Sequence, residues 1–247
     1  MIKVVILWAG MGRRIQAEYG GMHKAFIELN GEKLLLRLLK NVQKAGGKDI
    51  VPVLGYQAKE LLAEINNVGG FSSITSVLNP KYESTNNLYS LMQARDILCG
   101  DDFVVINGDM VFDYRILKKM LEFSGSAVGT DGNDYGYQLD SPRLLIKDDR
   151  IYDLGRHRTI GESQGYAIGM YKFSAEITEE FFDEGEKLVK ENPNAGYHDP
   201  LLKMFERVII KPCYTDDYLW MDIDEKADVP KAEKMLNQIV TGEKGDK

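Results

Sequence analysis

The chain has 247 residues, 44% of them apolar and 28% charged, close to globular averages, so neither a disordered chain nor a fibrous repeat fits it. A net charge of −7 argues against a nucleic-acid or anionic-membrane surface, which is ordinarily met by a basic excess. Cys99 and Cys213 match no metal or redox spacing, which points to reduced thiols and a cytoplasmic setting.

The apolar start, Met1 to Leu7, is too short for a signal segment, and no run reaches the roughly 18 apolar residues of a membrane span. Lys3 to Trp8 reads as a buried strand that ends at the turn signal Ala9-Gly10. The same pattern recurs at Asp49 to Leu54, Ser73 to Leu78 and Asp102 to Asn107. Helical stretches separate them: Lys33 to Ala45 with Leu35, Leu38, Leu39 and Val42 on one face, Gln57 to Ile65, and Leu88 to Leu98. This alternation predicts an α/β fold with a Rossmann-like, mainly parallel mixed sheet flanked by helices, and ligands at the carboxyl ends of the strands. After Phe123 short strands around turns predict a small antiparallel extension: Arg143 to Lys147, Arg150 to Leu154, then Gly165 to Phe173. Helices over Glu176 to Lys190 and Pro200 to Phe205 follow, then a strand at Val208 to Pro212. Ala232, Met235, Leu236 and Ile239 form the stripe of a closing helix, with Pro230 in its first turn. We expect one domain over 1–247, with a nucleotide-binding half at 1–123 and an acceptor-binding half and closing helix at 124–241. A homodimer is compatible with it.

The loop after the first strand is Gly10-Met11-Gly12-Arg13-Arg14. A Walker loop would need Gly-Lys-Ser/Thr, and the dinucleotide fingerprint would need glycine where Ile15 stands. What remains is a glycine turn whose backbone N–H groups can approach phosphate oxygens, with Arg14 and the later Lys24 supplying positive charge. Asp109 ends an apolar strand and so falls at the same sheet edge. Asp222 and Asp224 share one face of an extended segment, because side chains alternate. Magnesium usually takes one or two carboxylates plus phosphate oxygens, so Asp109, Asp222 and Asp224 are its candidate ligands. Asp224 could equally cap a helix ahead of Glu225. His23, His157 and His198 show no ligand spacing, and no zinc site is expected.

Leu7-Trp8-Ala9-Gly10-Met11-Gly12-Arg13-Arg14-Ile15, followed by His23-Lys24, resembles the signature of the sugar-nucleotide pyrophosphorylase and small-molecule cytidylyltransferase superfamily. That resemblance implies a GT-A-like nucleotidyltransferase fold and a loop that wraps a nucleoside triphosphate, with Leu7, Ala9, Gly10, Met11, Gly12 and Arg13 around it. Arg14 and Lys24 take the catalytic role of neutralising the triphosphate. Three positions depart from the signature: Trp8 replaces a small residue, Arg13 a Ser/Thr and His23 a proline. Trp8 is expected to alter the base pocket. Tyr218-Leu219-Trp220-Met221-Asp222-Ile223-Asp224 is similar to the archaeal inositol-1-phosphate cytidylyltransferase domain. Asn79-Pro80-Lys81-Tyr82 and Thr85-Asn86-Asn87-Leu88-Tyr89-Ser90 resemble bacterial choline-phosphate and phosphonate cytidylyltransferases. There the asparagine segment lies beside base and ribose, which assigns nucleotide contacts to Asn79, Asn86, Asn87 and Ser90, with Asp109 completing the nucleotide site.

A phosphate monoester has its second pKa near 6, so an attacking acceptor oxygen is mostly deprotonated at neutral pH and no general base is needed. In-line attack on the α-phosphorus asks for alignment and charge stabilisation, which suits cations and metal-binding carboxylates. Arg156, in a stretch resembling the Ile-Gly-Lys of the inositol-type enzymes, is the candidate for the acceptor phosphate, with His157 and Arg158 as alternatives. Glu162 resembles the acidic residue that closes the acceptor site. Tyr197, Asp199 and Trp220 are candidates for the head group, since an aromatic beside a carboxylate suits a quaternary amine; core roles for Tyr197 and Trp220 remain open. The expected reaction is Mg-dependent transfer of CMP from CTP to a small phosphate or phosphonate. The competing readings are a sugar-1-phosphate nucleotidyltransferase using UTP, dTTP or GTP, and a non-catalytic nucleotide-binding regulator.

Overall fold

The computed structural model describes residues 2–132, 141–156 and 162–245. In chain order the first half runs β1 (Lys3–Trp8), α1 (Arg13–Glu18), a 3-10 turn at Lys24–Phe26, and the hairpin β2 (Glu28–Leu29) and β3 (Glu32–Lys33). Then come α2 (Leu34–Lys44), β4 (Asp49–Leu54), α3 (Ala58–Asn66), β5 (Ser73–Ile74) and β6 (Val77–Leu78). It continues through α4 (Asn87–Met92), α5 (Arg95–Leu98), β7 (Phe103–Asn107), β8 (Met110–Phe112), α6 (Tyr114–Glu122) and β9 (Ser126–Asp131). The second half holds β10 (Arg143–Lys147), β11 (Arg150–Gly155), β12 (Gly165–Phe173), α7 (Ala175–Glu191), α8 (Asp199–Met204), β13 (Ile210–Tyr214), β14 (Trp220–Asp222) and α9 (Asp228–Gly245).

Strand β1 lies between β4 and β7, parallel to both, with Val5 opposite Val51 and Val105. These strands are buried on both faces, so they read as continuous apolar runs instead of alternating ones. Strand β12 pairs antiparallel with β7 and carries the sheet into the extension, where it also pairs with β9 and β10. The main sheet therefore runs β11-β10-β12-β7-β1-β4-β5, with β13 beside β9 and β6 beside β4. This is the expected α/β sheet with its antiparallel extension.

One face of the sheet packs Val5, Val51 and Val105 against Leu88 of α4 and Phe181 and Phe182 of α7, and the other packs Val4, Ile6 and Trp8 against α2 and α6. Burying each large apolar side chain contributes on the order of 2 kcal/mol. A third cluster lies under α9, where Met235, Leu236 and Ile239 meet Ile15 of α1, Val111 of β8 and Ile223. The closing helix thus clamps the glycine-loop helix to the strand pair β8 and β14. Among the described residues no helix is long and apolar enough to cross a membrane.

Candidate active site

Asn107 to Asp109 forms the turn between β7 and β8, at the carboxyl edge of the parallel strands. Strand β14 returns antiparallel along β8, with Asp222 opposite Met110, and the Ile223 N–H donates to the Asp109 carbonyl at 3.0 Å. This pairing brings the late acidic segment to the Gly-Asp turn. The glycine loop arrives from β1: Gly12 sits at φ 59° and ends the loop as the N-cap of α1, a left-handed conformation that costs a Cβ-bearing residue more than glycine.

Lys24 is the centre of the arrangement. Its side chain is 11% exposed, and its ammonium lies 3.0 Å from Asp109 Oδ2 and 3.2 Å from Asp224 Oδ1, while Arg14 reaches the same Asp224 oxygen at 3.4 Å. Burial by itself pulls the lysine's pKa down, but the two carboxylates outweigh it and hold the pKa above its ordinary value. Lys24 is therefore charged. Asp224 is not a helix cap, because α9 begins only at Asp228; instead its own N–H and that of Glu225 are held by Asp228 Oδ2 at 3.0 Å. Asp222 has a buried Oδ1 with no hydrogen-bond partner. Burial first, and then the charges of Asp109 and Asp224, raise its pKa well above the usual carboxylate range.

A cavity of about 190 Å³ opens beside this cluster, lined by Leu7, Trp8, Ala9, Gly10, Gly12, Lys24, Asn86, Asn87, Ser90 and Asp109 from the sequence expectations. It is also lined by Tyr82, Thr85, His23, Asn107 and Gly108, which had been assigned no contact. Asn107 was legible as the polar residue that ends an apolar strand at the ligand edge. Met11 and Arg13 line a neighbouring cavity, and the Arg13 guanidinium donates to the Glu83 carbonyl at 2.9 Å. Asn79 does not reach either cavity. Fully buried, it spends Nδ2 on Thr85 and Ser90 and Oδ1 on the Lys81 N–H, so it braces the loop that carries the wall.

Trp8 lines the cavity and also has a structural part. Its indole is buried on the face opposite Leu7 and Ala9, packed under Gly108, with Nε1 donating to the Gly108 carbonyl at 2.9 Å. The ring props the turn that presents Asp109. His23, where the signature has proline, caps the 3-10 turn: Nδ1 accepts from the Ala25 N–H at 3.0 Å and Nε2 lies 3.1 Å from the Trp8 carbonyl. Burial is the main reason its pKa falls to about 4. A neutral imidazole thus ties the end of β1 to the turn that aims Lys24.

Of the acceptor candidates, Tyr197 and Asp199 stand at the start of α8, and Arg156 lies within electrostatic reach of His198 between them. Tyr197 is a core residue whose hydroxyl donates to Asn107 Oδ1 at 3.1 Å and whose N–H donates to Asn87 Oδ1 at 2.9 Å, joining two walls of the cavity from behind. Asp199 folds onto its own loop, accepting from the Gly196 N–H and pairing with His198 at 3.2 Å. Trp220 packs beside the core and donates to Asp131 Oδ2 at 2.8 Å, so its carboxylate neighbour is Asp131 and not Asp199. Arg156 is exposed at the end of β11, close enough to His198 to depress its pKa after burial has done so. Glu162 is exposed ahead of β12. His157 and Arg158 lie outside the described residues.

Comparison with known proteins fits this geometry: the MobA-like NTP transferase domain matches residues 4–139. The chain belongs to that family. The matched domain is an NTP transferase domain, the kind that the glycine loop and its lysine imply. Across its length it is similar to the bifunctional IPC transferase and DIPP synthase of Aquifex aeolicus, 25% identical over 242 residues, covering 98% of this chain and 53% of that protein. The chain spans about half the length of such relatives. The choline-phosphate cytidylyltransferase of Streptococcus pneumoniae is 30% identical over 108 residues, 44% of each chain. Among solved structures, the inositol-1-phosphate CTP transferase from T. maritima superposes with a TM-score of 0.80 at 21% identity, covering 97% of this chain and 96% of that one. That likeness establishes the nucleotidyltransferase fold.

Proposed function

We propose that the protein transfers CMP from CTP to a small molecule bearing a phosphate or phosphonate and releases pyrophosphate. The observation that carries the reading is the Lys24 ammonium between Asp109 and Asp224 at the mouth of the cavity behind the glycine loop. The cytidylyl preference is supported by the similarity to a choline-phosphate cytidylyltransferase and to an inositol-1-phosphate CTP transferase. An oxygen of the acceptor attacks the α-phosphorus, a new P–O bond forms in line, and the bond to the bridging oxygen breaks as pyrophosphate leaves. Arg14 and Lys24 neutralise the triphosphate, and the asparagine wall holds base and ribose.

The residues present suit magnesium bound partly through phosphate. Among the described residues no three His, Cys, Asp or Glu side chains gather into a protein-only metal cage. The partnerless Asp222 oxygen beside Asp109 nonetheless offers a carboxylate face for one cation shared with a nucleotide. Asp109 and Asp222 would hold the ion, with Asp224 beside them. A bound magnesium ion would supply positive charge to the triphosphate and the leaving pyrophosphate.

Pyrophosphate release measured for CTP, UTP, dTTP and GTP against choline phosphate, an aminoalkylphosphonate, inositol-1-phosphate and glucose-1-phosphate tests the proposal. Turnover with CTP and a non-sugar phosphate is expected. Turnover confined to glucose-1-phosphate would replace it with sugar-nucleotide synthesis.

A further inference from the structure

The extension beyond β7 holds a basic side chain to which neither the fold nor the reaction described so far gives a task. Arg143 opens β10 and is 7% exposed. Its Nη1 is buried and has no hydrogen-bond partner among the described residues. The guanidinium lies over the Tyr166 ring, 4.9 Å from its centroid, a contact that holds the group flat without satisfying its N–H donors. Arginine stays charged at every physiological pH, so this is a permanent buried cation with an unused donor.

The strand register fixes its surroundings. Arg143 pairs with Tyr166 of β12, and Tyr166 pairs with Asp131 of β9, so the three side chains form one row across neighbouring strands. Asp131 in turn accepts from Trp220, which shares a face of β14 with Asp222. A chain of neighbouring side chains therefore runs from Asp222 through Trp220, Asp131 and Tyr166 to Arg143. On its other side Arg143 pairs with Gly155, which precedes Arg156 and contributes no side chain of its own. The row stands beyond the carboxyl end of β7, because β12 runs antiparallel past Asn107.

We propose that Arg143 is an acceptor-binding residue whose planar fork receives the anionic group, phosphate or phosphonate, of the molecule that takes the nucleotidyl unit. This rests on the transfer reading for the word acceptor, though the anion site itself does not. An oxyanion supplies what the guanidinium lacks: acceptor atoms in the plane of two parallel N–H bonds. The aromatic ring fixes that plane before binding, so little side-chain freedom is lost when the anion arrives.

The test uses the whole chain and methylphosphonate as probe, with inorganic pyrophosphate at saturation to fill the glycine loop. Affinity is read by phosphorus NMR titration in wild type, R143M and R143K. Wild type is expected to bind, R143M to bind at least about tenfold more weakly, and R143K to fall between them, because lysine keeps the charge but not the bidentate fork. Thermal melting of R143M is expected to stay level or rise, since a buried cation with an unused donor has been removed. No binding by wild type, or R143M and R143K affinities equal to wild type, overturns the proposal. Should R143M fail to fold, R143K decides alone. The probe is titrated without any nucleoside triphosphate, so failure to release pyrophosphate in the transfer assay and failure of this anion site are separate results.

Discussion

Lys24 is held between two carboxylates that a triphosphate would have to compete with, so its charge serves the folded protein and the bound ligand in turn. Replacing it with methionine leaves Asp109 and Asp224 facing each other without their shared cation. Both carboxylates are partly exposed, which limits the structural cost to about 1 kcal/mol. The loss in the transition state is larger, since a charged donor aimed at developing phosphate charge is worth about 100- to 1000-fold in rate. Lys24→Met is therefore expected to lower kcat by that factor in the pyrophosphate-release assay while urea unfolding shifts little. A fully active Lys24→Met enzyme would refute the site. Trp8 permits a sharper separation. Trp8→Phe keeps most of the buried volume but removes the donor to the Gly108 carbonyl, which costs about 1 kcal/mol of stability and loosens the turn bearing Asp109. The expected outcome is a rate reduced about tenfold through misplacement, with the ratio of CTP to UTP turnover unchanged; a changed ratio would show that Trp8 also selects the base.

At the scale of elements, the turn between β7 and β8 depends on close approach. A Cβ on Gly108 would meet Trp8 Cδ1 at 2.2 Å and the Leu7 carbonyl at 2.4 Å, and neither can retreat, because one is a buried ring and the other is backbone. Gly108→Ala is expected to destabilise the protein by about 3 kcal/mol, overpacking at its upper range, read as a lowered urea midpoint. The central strands were legible in the sequence because burial on both faces gives β1, β4 and β7 unbroken apolar runs. Other elements gave a weaker signal. The run Ser73 to Leu78 divides into β5 and β6, and Leu88 to Leu98 divides into α4 and α5. Helix α1 is six residues long and begins at a left-handed glycine, so it shows neither periodicity nor a side-chain cap. Helix α6 could have been found, since Asp113 caps it and Ile116, Leu117 and Met120 form a buried stripe. The candidate site divides in the same way. Residues next to each other in the chain, such as the glycine loop and Asn86-Asn87, were read from local pattern. The burial of Trp8 under Gly108 and the partnering of Trp220 with Asp131 arise from contacts between distant strands, which spacing along one chain does not encode.

In the molecule as a whole, burial holds His23 and His198 toward the neutral form, and this sets its response to acid. His23 binds a proton near pH 6.5 when the chain is unfolded but only near pH 4 when folded, chiefly because burial disfavours the cation. Between those values the unfolded chain holds more protons than the native one, so stability is complete above about pH 6.5 and is lost as the pH falls toward 4. With roughly 1.4 kcal/mol for each unit, the full loss attributable to His23 is on the order of 3 kcal/mol. His198, whose pKa burial also lowers, contributes with the same sign. The consequence reaches the site, because the His23 ring joins the Trp8 carbonyl to the turn that carries Lys24, and a protonated Nδ1 can no longer accept from the Ala25 N–H. Asparagine at this position keeps a capping acceptor and does not titrate. Urea midpoints of wild type between pH 4 and 7.5 are thus expected to fall steeply on the acid side, and those of His23→Asn to fall with a visibly shallower slope. Identical slopes would mean that acid unfolds the protein through other groups and that the imidazole is not the coupling between proton uptake and the position of Lys24.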